Sequence, residues 1–299
     1  MAILLVAALL WGTVPVTTRA LYTLADTNAL SIGFWRLALA VPALFVAAPQ
    51  PTLRVAANLS PRDRLLLLLF GVGMGSYQLF YFAAIPRLGV TTAALITLST
   101  APVMVAFFST LLLRERPGRW VVASLLLALV GVALLVGIPG DGLQAARDVR
   151  TVDTMGVVLA LTASLSFTAV TLATRAVSGR HPSLPLITIG MGFGALVLLL
   201  PALLTGFPLR YSPSAWTLLI YLGLVPTALG YILFFRALRT VTATTASVVN
   251  LLEPLTSALL AWLLFSEQLG PRGLLGGAIL LGAMLLLSWR KREKIGAGV

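Results

Sequence analysis

Residues 87–118 read RLGVTTAALITLSTAPVMVAFFSTLLLRERPG, and residues 239–270 read RTVTATTASVVNLLEPLTSALLAWLLFSEQLG. The second stretch repeats the first without a gap, from residue 87 to residue 239, a spacing of 152 residues. Weaker echoes continue outward in the same order, as in WGTVPVTTRA at 11–20 and FTAVTLATRA at 167–176. Similarity that keeps its order along the chain indicates that one structural unit has been duplicated.

The composition places this duplicated unit in a membrane. Hydrophobic residues make up 59% of the chain and charged residues only 10%, whereas soluble domains carry about 25% charged residues. The apolar runs are continuous, which favours membrane helices over a β-barrel with alternating residues. The net charge of +12 comes from Arg residues between apolar runs that form no stripe, so we expect no nucleic-acid partner.

The residue types of the chain argue against an enzyme active site or a metal site. The chain has no Cys and a single histidine, His181, in a predicted loop. A catalytic or metal cluster built on these residue types is therefore excluded, and we expect no cofactor and no metal. Residues 1–22 lack a basic leader and continue as a full-length span, so we expect no cleavable signal.

The fold prediction is an all-α membrane protein with ten transmembrane helices. Each apolar segment approaches the ~20 residues needed to cross a bilayer. The predicted spans are 2–22, 29–48, 64–86, 91–112, 119–138, 155–177, 184–205, 213–236, 243–265 and 271–289.

Five spans fall in each copy, and an odd number makes the second copy enter the membrane from the opposite side. Inverted repeats of this kind form many secondary transporters, with a central cavity and the substrate site between the repeats. The predicted organisation is a first repeat at 1–138, a connecting loop at 139–154, a second, inverted repeat at 155–289 and a basic tail at 290–299.

The distribution of basic residues predicts the orientation. Fourteen Lys and Arg residues lie in the loops and tail on the side of both termini, and six lie on the opposite side. Cytoplasmic loops carry the excess of basic residues, so both termini are predicted to be cytoplasmic in a multi-pass bacterial inner-membrane protein.

Two charges lie well inside the apolar segments, Arg36 and Glu253. Charges at this depth are costly and are functional candidates by default. We expect Arg36 to be an interfacial or helix-pairing residue, because long side chains can reach the membrane surface. Three roles stay open for Glu253: binding a substrate amine, carrying a proton, or bonding backbone freed by Pro254.

Polar and aromatic side chains at membrane depth describe a cavity for a small amphipathic organic solute, rather than for a bare metal ion. Pro102 and Pro254 occupy equivalent points of the two repeats and are predicted to act as hinges. The candidate substrate-binding residues are Trp11, Thr13, Tyr77, Gln78, Tyr81, Thr97, Ser99, Thr100, Ser164, Ser166, Thr168, Tyr231, Asn250 and Glu253.

Small residues spaced four apart occur at Gly71 and Gly75 and again at Gly190 and Gly194. Such pairs let membrane helices approach closely. We expect them to serve packing inside one chain rather than dimerisation, and we therefore expect a monomer.

Several motifs together resemble the EamA-type drug/metabolite transporter superfamily. They are WG at 11–12, FWRLALA at 34–40, the passage from AP to LLLRERP at 101–117 and its second copy from EP to LLFSEQLG at 253–270. The resemblance covers nearly the whole chain. It implies efflux of small metabolites, most often amino acids, with the aromatic amino-acid exporters as the suspected branch.

Other readings stay open at this point. One is broad efflux of drugs or lipophilic cations, and another, of a different class, is a lipid flippase or a membrane enzyme. The small four-span multidrug members of the superfamily use a Glu in their first span, and this chain has no acidic residue there. Facilitated diffusion and proton coupling therefore remain equally open.

Overall fold

The computed structural model describes residues 1–47, 52–88, 90–136, 153–178, 180–204, 206, 208, 210–265 and 271–296. Regular structure within these ranges is helical, apart from one isolated bridge between Ser178 and His181. The helices are α1 (Ala2–Leu24), α2 (Ala29–Ala47), α3 (Thr52–Ala57), α4 (Pro61–Leu88), α5 (Val90–Leu112), α6 (Arg119–Val136), α7 (Thr154–Val177), α8 (Ser183–Leu204), α9 (Pro213–Leu222), α10 (Gly230–Leu238), α11 (Ala243–Asn250), α12 (Leu252–Phe265) and α13 (Pro271–Gly296).

Seven helical stretches in the described residues are long and apolar enough to cross a membrane, which confirms an all-helical, multi-pass membrane protein. Three shorter apolar stretches lie at Ile96–Leu112, Arg119–Leu134 and Pro271–Leu287. The count of ten spans therefore stays a prediction. The seven stretches are Ala2–Leu24, Ala29–Ala47, Pro61–Ile85, Thr154–Val177, Ser183–Leu204, Pro213–Leu238 and Ala243–Leu264.

The structure adds two helical features that the sequence analysis did not predict. The short helix α3 lies in the connection between α2 and α4. Helix α13 continues to Gly296, so the predicted basic tail is helical over its first part. Of the connecting loop predicted at 139–154, residues 139–152 lie outside the described residues.

Helices α9 and α10 form one stretch joined by a π-helical turn at Gly223–Leu229. Pro226 lies inside this turn and has no N–H to donate to the carbonyl of Leu222. The hydroxyl of Thr227 donates to that carbonyl instead, at 2.7 Å. A wider turn with a substituted hydrogen bond is a frequent feature of functional sites.

The stretch predicted as a single span at 243–265 is interrupted. Helix α11 ends at Asn250, Leu251 forms a turn, and α12 begins at Leu252. Pro254 contributes to the break, because it supplies no N–H for the carbonyl of Asn250 and lies in the first turn of α12, where a proline fits best. Pro102 lies within the uninterrupted helix α5.

Glycines allow close packing between helices of this chain. A Cβ added at Gly71 would lie 2.7 Å from the carbonyl oxygen of Gly190, and one at Gly75 would lie 2.9 Å from that of Gly194. Helices α4 and α8 therefore approach backbone to backbone, as expected for packing inside one chain. The same logic holds between α6 and α13, where a Cβ at Gly131 would lie 2.9 Å from the carbonyl oxygen of Gly276.

Candidate functional site

Trp11 links helix α1 to the π-helical turn. Its indole Nε1 donates a hydrogen bond of 2.9 Å to the carbonyl of Pro226, and the side chain is buried. Its ring lies 5.0 Å from that of Tyr231 and 5.2 Å from that of Phe234, between centroids. Gly230 leaves room for it, since a Cβ there would lie 2.8 Å from the indole nitrogen. The predicted site residues Trp11 and Tyr231 thus lie together.

Tyr77 and Tyr81 form an aromatic surface on α4. Their rings stack with centroids 6.0 Å apart at an interplanar angle of 18°, and Tyr77 also lies 5.3 Å from Phe167 of α7. All three side chains are only partly buried. Aromatic faces of this kind can bind apolar parts of a solute or a cation.

Arg36 of α2 is held at the π-helical turn. Its Nε donates to the hydroxyl oxygen of Thr227 at 3.3 Å, and that hydroxyl in turn donates to the carbonyl of Leu222. Nearby, the hydroxyl of Tyr231 on α10 donates to Met74 Sδ of α4 at 3.1 Å. Side chains from α1, α2, α4 and α10 therefore meet around the π-helical turn.

Glu253 lies beside α1 in the first turn of α12. A Cβ at Gly12 would lie 3.0 Å from the carbonyl oxygen of Glu253 and would collide with the side chain of Thr256. Gly12 follows Trp11 directly, so one turn of α1 contacts both the π-helical turn and the start of α12. Arg36 and Glu253 are both partly exposed, although they lie among buried neighbours.

Most of the predicted hydroxyl residues lie in the contact between α5 and α7. Thr100 donates to the hydroxyl of Ser164 at 2.7 Å, and Thr97 donates to the carbonyl of Ala160 at 3.3 Å. Thr168 donates to the Ser164 carbonyl at 2.9 Å. These groups already have protein partners, as hydroxyls in membrane helices usually do.

The remaining predicted residues occupy separate places. Thr13 donates to the carbonyl of Leu10 at 2.7 Å and accepts from the hydroxyl of Tyr221 at 3.0 Å. Ser166 donates to the carbonyl of Thr162 at 2.8 Å, and Ser99 is partly buried on α5.

Two buried amides complete the predicted set. Gln78 Oε1 would lie 2.7 Å from a Cβ added at Gly33, so this side chain fills the contact between α4 and α2. Gln78 Oε1 and both amide atoms of Asn250 are buried without a hydrogen-bond partner among the described residues. Buried polar atoms without a partner are rare, and Asn250 lies one turn before Glu253.

A second polar network lies at one end of the bundle and was not predicted. Arg175 Nε donates to Glu115 Oε1 at 2.6 Å, and Arg175 Nη1 donates to the carbonyl of Leu238 at 2.6 Å. The other carboxylate oxygen of Glu115 accepts from the N–H of Ala243 at 3.0 Å, at the start of α11. Arg114 has a left-handed φ of 56°, which turns the chain and places Glu115 in this network.

The single histidine belongs to an ion-pair cluster. Arg180 Nη1 lies 2.8 Å from Asp63 Oδ1, and His181 Nε2 lies 2.9 Å from Asp63 Oδ2. The prediction of His181 in a loop is confirmed, since it lies between α7 and α8. The described part of the chain contains no group of three His, Cys, Asp or Glu residues that could hold a metal ion.

Thr227 was not among the predicted residues, whereas the expectation that Arg36 pairs helices is confirmed by its hydrogen bond from α2 to the π-helical turn. A Pro-Thr pair at residues 226–227 inside an apolar segment was the available signal, because Pro frees a carbonyl and Thr can satisfy it. The role of Arg36 depends on this turn, which lies 191 residues away in sequence.

Comparison with known proteins gives consistent relatives. The uncharacterized transporter YwfM of Bacillus subtilis is 31% identical over 296 residues, covering 97% of this chain and 94% of that protein. A probable biotin transporter of Pseudomonas aeruginosa is 32% identical over 233 residues, with 74% and 77% covered. The pseudopaline exporter CntI of the same species is 26% identical over 268 residues, with 90% and 89% covered.

A solved crystal structure shares the fold with a TM-score of 0.75 at 18% identity, covering 97% of this chain and 98% of the other. The sequence profile of the EamA-like transporter family matches residues 1–137 and 154–289. The resemblance noted from the WG, AP and EP motifs is thereby confirmed at the level of the family, and the chain belongs to the EamA-like transporter family.

Proposed function

We propose that this protein is a secondary transporter that exports small amphipathic organic metabolites, foremost amino acids including aromatic ones, by alternating access. One observation carries this proposal: a single turn of α1 contacts both the π-helical turn that holds Arg36 and the start of α12 that carries Glu253, and both charged side chains remain partly exposed. Charged and aromatic groups that converge inside a membrane bundle and keep accessible surface are expected to line a solute cavity.

Two inverted five-helix repeats, ten spans in all, provide the framework that we propose. Support comes from the family profile, which matches the chain twice and leaves out the predicted connecting segment. It also comes from a pair of related contacts. Trp11 and Phe167 align between the repeats, and each packs against a tyrosine of the other half, at 5.0 Å from Tyr231 and 5.3 Å from Tyr77.

The Glu115 network supplies a closure for the cytoplasmic end in this proposal. It ties the end of α7 to α10 through Arg175 and the chain after α5 to α11 through Glu115. We propose both termini in the cytoplasm, which places this network at the cytoplasmic face. Rocking of the repeats would break these contacts and admit substrate from that side. The protein then acts as a monomer in the bilayer.

A second candidate function is efflux of lipophilic cations. The observation that favours it is that Glu253 lies beside the turn of α1 that carries Trp11, whose ring packs with those of Tyr231 and Phe234. A carboxylate with aromatic faces attracts cations. The family names and the relatives, all transporters or exporters, favour transport over the alternative of a flippase or a membrane enzyme.

Reconstituted transport tests the proposal. Purified protein in liposomes is assayed for flux of labelled amino acids and of a lipophilic cation, with and without a pH gradient. We expect aromatic amino acids to be transported and to compete with one another. Asp26→Asn, in the exposed turn after α1, is the matched control for loss of one carboxylate. Absence of any amino-acid flux under both conditions would overturn the substrate class.

A further inference from the structure

We propose that Arg36 and Glu253 form a two-point recognition site for a zwitterionic head group, with Arg36 binding the carboxylate and Glu253 the ammonium. The inference rests on the proposed transport function and deepens it, since it names the chemistry that the site selects. An α-amino acid carries both charges on adjacent groups and therefore matches two fixed, opposite charges.

The guanidinium of Arg36 is held in one orientation and can still bind a ligand. Its Nε is used by Thr227, which is itself fixed by the bond to the Leu222 carbonyl. Neither terminal nitrogen of the guanidinium has a hydrogen-bond partner within the described ranges. The planar fork of Arg binds a carboxylate through two parallel hydrogen bonds, and a side chain already oriented at Nε loses less entropy when it does so.

The carboxylate of Glu253 can also bind a ligand. Its carboxylate takes part in no hydrogen bond or ion pair with any residue that the structure describes. The start of α12 and the contact with Gly12 fix its backbone. The neighbouring amide of Asn250, buried without a partner, adds a further polar group at this position.

Trp11 contacts the π-helical turn that holds Arg36, and the adjoining Gly12 contacts the backbone of Glu253, so one turn of α1 separates the two charges, which form no direct ion pair among the described residues. A direct pair would neutralise both groups and leave nothing to bind a ligand. Two separated charges inside a membrane protein are costly, and a ligand that carries the complementary charges satisfies both at once. Met74, one turn before Tyr77 on α4, accepts a hydrogen bond of 3.1 Å from the Tyr231 hydroxyl. The aromatic surface of Tyr77, Tyr81 and Phe167 therefore begins one helical turn from this region and suits the side chain of the ligand.

Each repeat supplies one of the two charges. With Leu39 aligned to Leu198, Arg36 corresponds to Ala195, and with Pro102 aligned to Pro254, Glu253 corresponds to Ala101. The duplicated architecture therefore carries a single two-charge site. A head group bound to both residues connects the two repeats, which couples binding to their relative motion.

Three ligands that differ only in head-group charge test this inference: L-phenylalanine, 2-phenylethylamine, which lacks the carboxylate, and 3-phenylpropionate, which lacks the ammonium. Each competes against labelled phenylalanine in proteoliposomes. We expect the amine and the acid to bind about tenfold or more weakly than phenylalanine in the wild type, because each leaves one charge inside the bundle unpaired.

Two variants test which residue binds the carboxylate of the ligand and which binds its ammonium group. Arg36→Gln is expected to weaken phenylalanine and lose the discrimination against the amine, and Glu253→Gln to lose the discrimination against the acid. The measured quantity is the ratio of affinities within one preparation, so partial misfolding of a variant does not change it. Asp26→Asn serves as control and should keep all three affinities.

The outcomes separate the two proposals. Phenylalanine transport with equal competition by all three ligands overturns the zwitterion site and leaves the transport function standing. Ratios that stay at their wild-type values in both variants overturn the assignment to Arg36 and Glu253. Absence of transport for all three ligands overturns the proposed amino-acid function and this inference with it.

Discussion

Helix α5 and the pair α11–α12 share one sequence pattern but differ in structure. Helix α5 runs without interruption through Pro102, and its hydroxyls bond to α7. The equivalent stretch breaks at Leu251 before Pro254 and carries two polar side chains, those of Asn250 and Glu253, that form no hydrogen bond or ion pair within the described part of the chain. Two stretches of similar sequence thus differ in structure, since the first packs its hydroxyls against a neighbouring helix and the second keeps polar groups without such bonds.

The largest expected effect comes from moving the carboxylate between the two copies. In the double variant Ala101→Glu and Glu253→Ala, the acid would enter a buried position where the Ala101 carbonyl faces Thr168 of α7. We expect no recovery of uptake over Glu253→Ala alone and a lower thermal stability in detergent, because the new charge is buried without a partner. Uptake restored to the wild-type level would show that the two copies are interchangeable.

The next effect concerns the end of the bundle where both copies meet. Arg175→Gln removes the contacts to Glu115 and to the Leu238 carbonyl and should cost about 2–4 kcal/mol of stability, since Glu115 is only 12% exposed and keeps one donor. Thermal unfolding in detergent measures this loss. The matched control is Arg87→Gln, whose side chain is 47% exposed, and an equal loss in the two variants would contradict the prediction.

A smaller effect distinguishes the two prolines. Pro254→Ala restores the N–H that the carbonyl of Asn250 lacks and should join α11 to α12. We expect a severalfold lower maximal transport rate if this break is a hinge, with little change in affinity. Pro102→Ala, within the uninterrupted helix α5, should change the rate less. The measurement is the initial transport rate at saturating phenylalanine. Equal rates for the two variants would contradict a hinge role of Pro254.

The smallest effect lies at an exposed ion pair. Arg87 lies 2.8 Å from Asp153, and this guanidinium, with the backbone N–H groups of Gly156 and Met155, lowers the pKa of the Asp153 carboxyl. A lowered pKa stabilises the fold above the unfolded value of ~4, and the contribution is lost as pH falls through the folded pKa. The difference in melting temperature between wild type and Asp153→Asn should therefore shrink on acidification below about pH 4. A difference that grows on acidification would contradict this account.

Particular residues show how much of the candidate site could be predicted from the sequence. Glu253 was identified as a functional candidate because a carboxylate in an apolar segment is costly wherever the segment packs. Tyr77 and Tyr81 were named as candidates, and their spacing of four residues puts them on one face of α4, where their rings stack. Thr97, Thr100 and Thr168 looked equally suited to a cavity, but the rotation of α5 and α7 directs them into a helix contact.

The sequence by itself determined that the chain is helical and crosses a membrane, and its internal similarity led to the prediction of two repeats. The reason is local: a backbone in lipid must satisfy its hydrogen bonds within each segment, so length and hydropathy suffice. Tertiary structure alone decided that Arg36 bonds to Thr227 and that Trp11 bonds to Pro226, across 191 and 215 residues. Such contacts depend on helix rotation and tilt, which lipid does not impose and which only packing between side chains sets.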